Sequence, residues 1–243
     1  MHEKYIYEKE SGEDETIPDL YCLCPLHHDK IPDTAGAAYY NTYTSVSLLN
    51  NAHSCYSTQG FAAGSTYTYS IKINSDETKA VIYRTRMSDG STVLMTNGDQ
   101  GTTYANYLGH ANDIALHSNN GNYYMFVVTM KAGSMSLVKL KYTGATYYKE
   151  GNYTIKYNGE NKAMSGVAIT GKDAGNIYFL FKSGTNFYKG SLPLNATSGT
   201  IEVTDAFKIN IKDALVNGSP VPLKSPILQP RESVITTIHY IFR

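Results

Sequence analysis

Gln59-Gly60-Phe61-Ala62-Ala63-Gly64 decides the fold once it is set beside Asn112-Asp113-Ile114-Ala115-Leu116-His117 and Ser165-Gly166-Val167-Ala168-Ile169-Thr170. Each segment carries a turn-type residue, a bulky apolar residue and then an alanine. Ala62, Ala115 and Ala168 stand 53 residues apart, twice over. A fixed period of this length marks a repeat architecture, in which one supersecondary unit stacks on the next.

The segments downstream of each anchor also recur. After the first come Tyr67–Ile73, Ala80–Thr85 and Thr92–Met95; after the second, Tyr123–Val128, Leu137–Tyr142 and Tyr153–Tyr157; after the third, Ile177–Phe181, Phe187–Leu192 and Thr200–Val203. Each unit therefore reads as four strands. The second is apolar on both faces in the last two units, as a strand buried in a stack requires. The third alternates, as in Val138-Lys139-Leu140-Lys141, which suits a half-exposed strand. The fourth is expected at the outer edge, where lysines discourage pairing with other chains. Between the strands stand Asn74-Ser75-Asp76-Glu77, Ser88-Asp89-Gly90, Ser118–Asn122 and Lys172–Asn176, all rich in turn-forming residues.

Four strands per unit at this period are the signature of a propeller blade. The expected fold is all-β: a β-propeller-like array of about three four-stranded blades within residues 34–211, in units starting near 57, 110 and 163. The small alanine on each first strand fits crowding near a propeller axis. A β-sandwich with accidental spacing is the competing architecture.

Propellers close with about four to eight blades, so three units imply an incomplete array. A further alanine is due near 221, where Val221-Pro222 stands. Residues 1–33 read as a flexible polar leader, with Glu13-Asp14-Glu15 in it. Residues 212–243 read as an irregular proline-rich tail with a terminal strand over Val234–Phe242, proline being a poor guest in interior strands.

Composition narrows the function classes. Lys+Arg and Asp+Glu both number 21, so no electrostatic footprint for nucleic acid or an anionic membrane appears. Charged residues are 17%, below the usual share of about 25%. Low charge with many hydroxyls and amides is common in exported bacterial proteins. No stretch reaches the roughly 18 apolar residues of a membrane helix. The first ten residues hold no apolar core of a signal peptide, so an extracellular or cell-surface location is expected only of a full-length form. The cysteines are Cys22, Cys24 and Cys55, an odd set that implies no disulfide framework.

His110, Asn112 and Asp113 are the most chemically loaded cluster. They stand where a loop enters an inner strand, so their side chains could line an axial channel. Asn and Asp oxygens suit calcium, and a histidine suits general-base work. The plainer alternative is that Asn112 and Asp113 serve the turn, with His110 bonding between blades. Cys22-x-Cys24-Pro25-Leu26-His27-His28 carries zinc-ligand residue types, and Cys55 and His53 could complete a set. Its spacing is short for zinc and the sequence holds no second pair. Tyr104, Tyr107, Tyr147 and Tyr148 fall in connectors and are expected at the surface, Tyr104 and Tyr107 as ligand-stacking residues. Three N-glycosylation sequons, at Asn152, Asn195 and Asn217, are frequent by chance and are discounted. There is no Walker loop, G-x-S-x-G elbow, H-E-x-x-H motif or heptad run.

Leu108-Gly109-His110-Ala111-Asn112-Asp113-Ile114-Ala115, with a tyrosine-rich strand after it, resembles β-propeller repeat proteins of Gram-positive bacteria, the helveticin-J-like group in particular. That resemblance covers residues 57–205 and implies an exported, bacteriocin-related propeller. Asn112-Asp113-Ile114 also resembles the Asn-Asp element that holds axial calcium in lactonase and arylesterase propellers. In those families several blades supply ligands; here the matching positions are Gln59-Gly60 and Ser165-Gly166, without a carboxylate.

The expected function is a non-catalytic binding propeller, without a cofactor, for a glycan or protein ligand, contacted by Tyr104, Tyr107, His110 and Asn112. The alternative is a calcium-dependent hydrolase, with Asn112 and Asp113 on the metal and His110 as base.

Overall fold

The computed structural model describes residues 47–130 and 136–209, and the backbone of two short strands, Leu215–Val216 and Ser219–Pro220. The expected leader at 1–33, the Cys22/Cys24 cluster and the strand over Val234–Phe242 lie outside the described residues. Within the described residues the chain is nearly all β. A single turn of 3-10 helix, Ala52–Ser54, precedes β1 (Ser57–Ala63), β2 (Tyr67–Ile73), β3 (Ala80–Arg86), β4 (Thr92–Leu94) and β5 (Thr96–Asn97). Then come β6 (Asp113–Asn119), β7 (Asn122–Val128), β8 (Ser136–Thr143), β9 (Thr146–Tyr157) and β10 (Glu160–Asn161). The last group is β11 (Gly166–Lys172), β12 (Asn176–Ser183), β13 (Asn186–Pro193), β14 (Ser198–Lys208), β15 (Leu215–Val216) and β16 (Ser219–Pro220).

Three antiparallel meanders result: β1-β2-β3-β4, β6-β7-β8-β9 and β11-β12-β13-β14. The expected grouping into four strands per unit holds in all three. Their first strands lie side by side, β6 between β1 and β11. The ends where β1, β6 and β11 begin, with the β2–β3 connection and Thr129-Met130 at the end of β7, form a lower face. The β1–β2, β6–β7 and β11–β12 turns form an upper face. Asn120-Gly121 closes β6–β7 with both residues at positive φ, 49° and 74°, which is the geometry a two-residue hairpin favours.

Apolar residues on both faces of β7 explain how the units stack. Met125 and Val127 face the first unit, in a core with Ile71, Ile82, Leu108 and Tyr147. Phe126 and Val128 face the third, with Tyr153, Phe179, Phe181 and Ile201. A side-chain period of two sends neighbours to opposite faces, so the second unit is buried between the other two.

Two expectations are corrected. β9 begins at Thr146, seven residues before the expected fourth strand, and Tyr147 and Tyr148 therefore lie in a strand and not in a connector. Nor are the fourth strands open edges throughout. β9 pairs with β8 along one side, while its other side takes β5 in parallel at Thr146–Tyr147 and β14 in parallel over Asn152–Tyr157. A strand of 12 residues is long enough to hold both neighbours. Of the three repeat alanines, Ala115 is buried and Ala62 and Ala168 are half-buried, and a Cβ on Gly60 would lie 3.1 Å from Asp113 C and 3.2 Å from Ala111 O. Gly60, two residues before the alanine, is where the inner backbones approach.

Candidate functional site on the lower face

The loops of the lower face hold an unusual set of backbones. Among the described residues, seven other than glycine have positive φ. Asn120 and Asn158 each precede a glycine in a two-residue turn. The other five, His53, Ser54, Glu77, Ala111 and Met130, lie on lower-face loops at φ 44–60°. For residues with a Cβ this region costs about 1–2 kcal/mol each, and such strain collects where a site must be held in shape.

His110 and Glu77 meet there. Glu77 comes after β2 in the first unit, and His110 precedes β6. The His110 Nδ1 to Glu77 Oε1 distance is 2.6 Å, with the side chains 36% and 40% exposed. The His110 backbone N–H donates to Thr129 O at 2.9 Å, which fixes the loop against the end of β7. Glu77 is not legible as a site residue in the sequence. It sits in a turn segment, and nothing local points to a histidine 33 positions later.

Asn112 is buried, 6% exposed. Its backbone N–H donates to Val128 O at 3.0 Å, and its Nδ2 lies 2.6 Å from Met130 Sδ. Its Oδ1 is buried without a hydrogen-bond partner. Asp113 is equally buried, and its carboxylate serves the backbone: Oδ1 accepts the Ile114 N–H and Oδ2 accepts the Val167 N–H, each at 2.9 Å. Val167 matches Ile114 in the repeat, so this carboxylate ties the second inner strand to the third. In the first junction a glycine stands at the position of Asp113, and Gly60 N–H donates directly to Ala111 O at 3.1 Å.

Tyr104 packs against His53, with ring centroids 4.9 Å apart and the planes tilted by 58°, and the Lys79 ammonium stands 5.2 Å from its ring. His53 Nε2 is 2.7 Å from Thr103 Oγ1. Tyr107 is half-buried, with Lys149 Nζ 4.9 Å from its ring. Its hydroxyl is buried without a partner, and burial, then the charge of Asp99, pushes its pKa well above the usual phenol range. Of the four tyrosines expected at the surface, Tyr148 is 44% exposed and Tyr147 fully buried, because β5 covers the start of β9. The structure thus brings His110 and Asn112 to the same loops as Tyr104. It turns the ends of Tyr107 and Asp113 inward.

Cys55 is buried, and burial raises its thiol pKa. Among the described residues no group of three or more His, Cys, Asp and Glu side chains is placed to hold a metal ion. None of their helices is long and apolar enough to cross a membrane.

No protein-family profile matches the sequence, and no curated protein matches it. Among solved structures, the chain is similar to the crystal structure of the major Malassezia sympodialis allergen Mala s 1. The identity is 11% and the TM-score 0.40, over 63% of this chain and 42% of that one. The chain thus spans less than half the length of that structure.

Proposed function

We propose that the chain is part of a β-propeller that acts as a non-catalytic binding module, displayed at the cell surface or secreted, with a glycan held by its lower-face loops. The observation that carries this reading is the set of five lower-face residues at positive φ, two of which, Glu77 and His53, belong to the His110–Glu77 pair and the Tyr104–His53 ring contact. Rigid loops reduce the ordering cost of binding. Tyr104, half-buried beside His53 and Lys79, contributes aromatic surface for a sugar, and His110, Glu77 and Lys79 offer both donors and acceptors for hydroxyls. The stacked four-stranded units support the propeller assignment, and the low-charge, hydroxyl-rich composition supports export.

A calcium-dependent hydrolase is the second reading, favoured by the histidine–carboxylate contact, a geometry that orients an imidazole for proton transfer. Against it, both Asp113 oxygens already accept backbone N–H groups.

A glycan array probed with the folded chain tests the proposal. Binding that Tyr104→Ala and His110→Ala each weaken at least tenfold, with unchanged thermal unfolding, is the expected result. Absence of any glycan binding by the folded chain, or binding untouched by both substitutions, would overturn it.

A further inference from the structure

The opposite, upper face carries a cluster of its own where the first and second units meet. Tyr67 and Tyr69, at the start of β2, stand across from Arg86 and Arg84 at the end of β3. In the second unit, Tyr123 at the start of β7 stands across from Tyr142 at the end of β8. The Tyr69 and Tyr142 rings meet edge-on over the junction, with centroids 5.3 Å apart, and Tyr123 packs on Tyr142 at 5.7 Å.

The two arginines differ in what they hold. Arg86 Nη1 lies 3.1 Å from Asp89 Oδ2. Arg84 has no such acid. Its guanidinium stacks over the Tyr67 ring, 4.4 Å from the centroid, and among the described residues it makes no ion pair and no hydrogen bond. Arg84 is half-buried: its Nε is shut away from water without an acceptor, while neither Nη atom is buried. The Nη edge of the fork is therefore open, with its donors unused by the protein.

We propose that this junction binds a carboxylate carried on a sugar, a uronate, with Arg84 on the carboxylate and Tyr123 against the sugar ring. A planar guanidinium matches the two oxygens of a carboxylate, and stacking on Tyr67 holds the fork in place before the ligand arrives. Tyr123 is 51% exposed, so its ring is open to a ligand, with an apolar body for the sugar's C–H face. The hydroxyls of Tyr69 and Tyr142 add donors and acceptors for sugar hydroxyls. Burial first raises the pKa of both phenols, and the charge of Arg84 acts on both in the other direction, so guanidinium and hydroxyls form one group. With Arg86 paired to Asp89, the uncompensated charge of the cluster is that of Arg84. The site is on the other face from the lower loops and does not rest on the glycan reading given for them.

The test is an NMR titration of the intact chain with glucuronate, against glucose and acetate at matched ionic strength. The signals followed are the Arg84 Nε–H, identified by its loss in Arg84→Lys, and the backbone N–H of Tyr142. The expected result is a saturable shift of both at millimolar glucuronate, with glucose and acetate each at least tenfold weaker. Arg84→Lys keeps the charge and loses the fork; Tyr123→Ala removes an exposed ring. Each should weaken the Tyr142 response several-fold with unchanged thermal unfolding, and His110→Ala, on the lower face, should leave it as in wild type. No saturable shift with glucuronate overturns the proposal. So does saturation by acetate at the same concentration, which would mean that the sugar makes no contact. An equal response in wild type, Arg84→Lys and Tyr123→Ala, or a response lost only in His110→Ala, would place the glucuronate elsewhere and overturn it too.

Discussion

The carboxylate of Asp113 accepts the backbone N–H of Val167 across 54 residues of sequence, 2.9 Å away and out of contact with water. With its other oxygen on the Ile114 N–H, it acts as a clasp between two neighbouring inner strands.

Asp113→Ala should therefore destabilise the chain by about 1–3 kcal/mol for each buried N–H left without an acceptor. Asp113→Asn, which keeps one acceptor oxygen, should lose less. Urea unfolding of the three proteins measures the difference. An alanine variant as stable as the wild type would mean that the clasp carries no weight.

Gly60→Ala should be harmful for a different reason. Its Cβ would meet backbone atoms of Ala111 and Asp113 at 3.1–3.2 Å, and backbone cannot turn aside as a side chain can. A cost of about 1–3 kcal/mol is expected from overpacking. Gly171→Ala has nothing within 4 Å of the new Cβ and should stay within about 0.5 kcal/mol of wild type. Thermal melts of the pair make the comparison internally controlled.

Tyr147 separates ring from hydroxyl. The ring is fully buried, and the hydroxyl has no partner. Tyr147→Phe removes an unsatisfied polar group and should be neutral or stabilising by about 1 kcal/mol. Tyr147→Ala opens a cavity and should cost about 3–5 kcal/mol. A destabilised phenylalanine variant would reveal a hydrogen bond to that hydroxyl.

His117 should give stability a slope on the acid side of neutrality. Its folded pKa lies below the ordinary 6.5 because burial, Lys172 and Lys139 disfavour the imidazolium. The unfolded chain therefore binds the proton first. The contribution is fully present above pH 6.5 and is lost as pH falls toward the lower folded pKa. Melting temperature against pH should fall over this window in wild type and flatten in His117→Gln. Identical profiles would place the titration elsewhere.

Calcium at millimolar concentration should leave the melting temperature unchanged, because Asp113 spends its oxygens on backbone. A rise, which a ligand of the folded state alone produces, would move the hydrolase reading ahead of the binding one.

The sequence by itself determined the repeat and the strands within it. Ala62, Ala115 and Ala168 set the period. The apolar run of β7 and the alternation in Val138-Lys139-Leu140-Lys141 set which strands are sandwiched and which are half-covered. These are local patterns, read from a side-chain period of two and from turn residues that act over two to four positions. Only the tertiary structure decided the parallel pairing of β9 with β14, the burial of Tyr147 beneath β5 and the approach of Glu77 to His110. It also decided that Asp113 turns to Val167. An aspartate at the start of a strand has the same local signature whether it caps a turn, holds a cation or clasps the next strand. Its choice depends on which N–H groups the stacking of separate units brings within 3 Å, a distance range set by hydrogen-bond geometry, and that stacking is written in residues about 50 positions away.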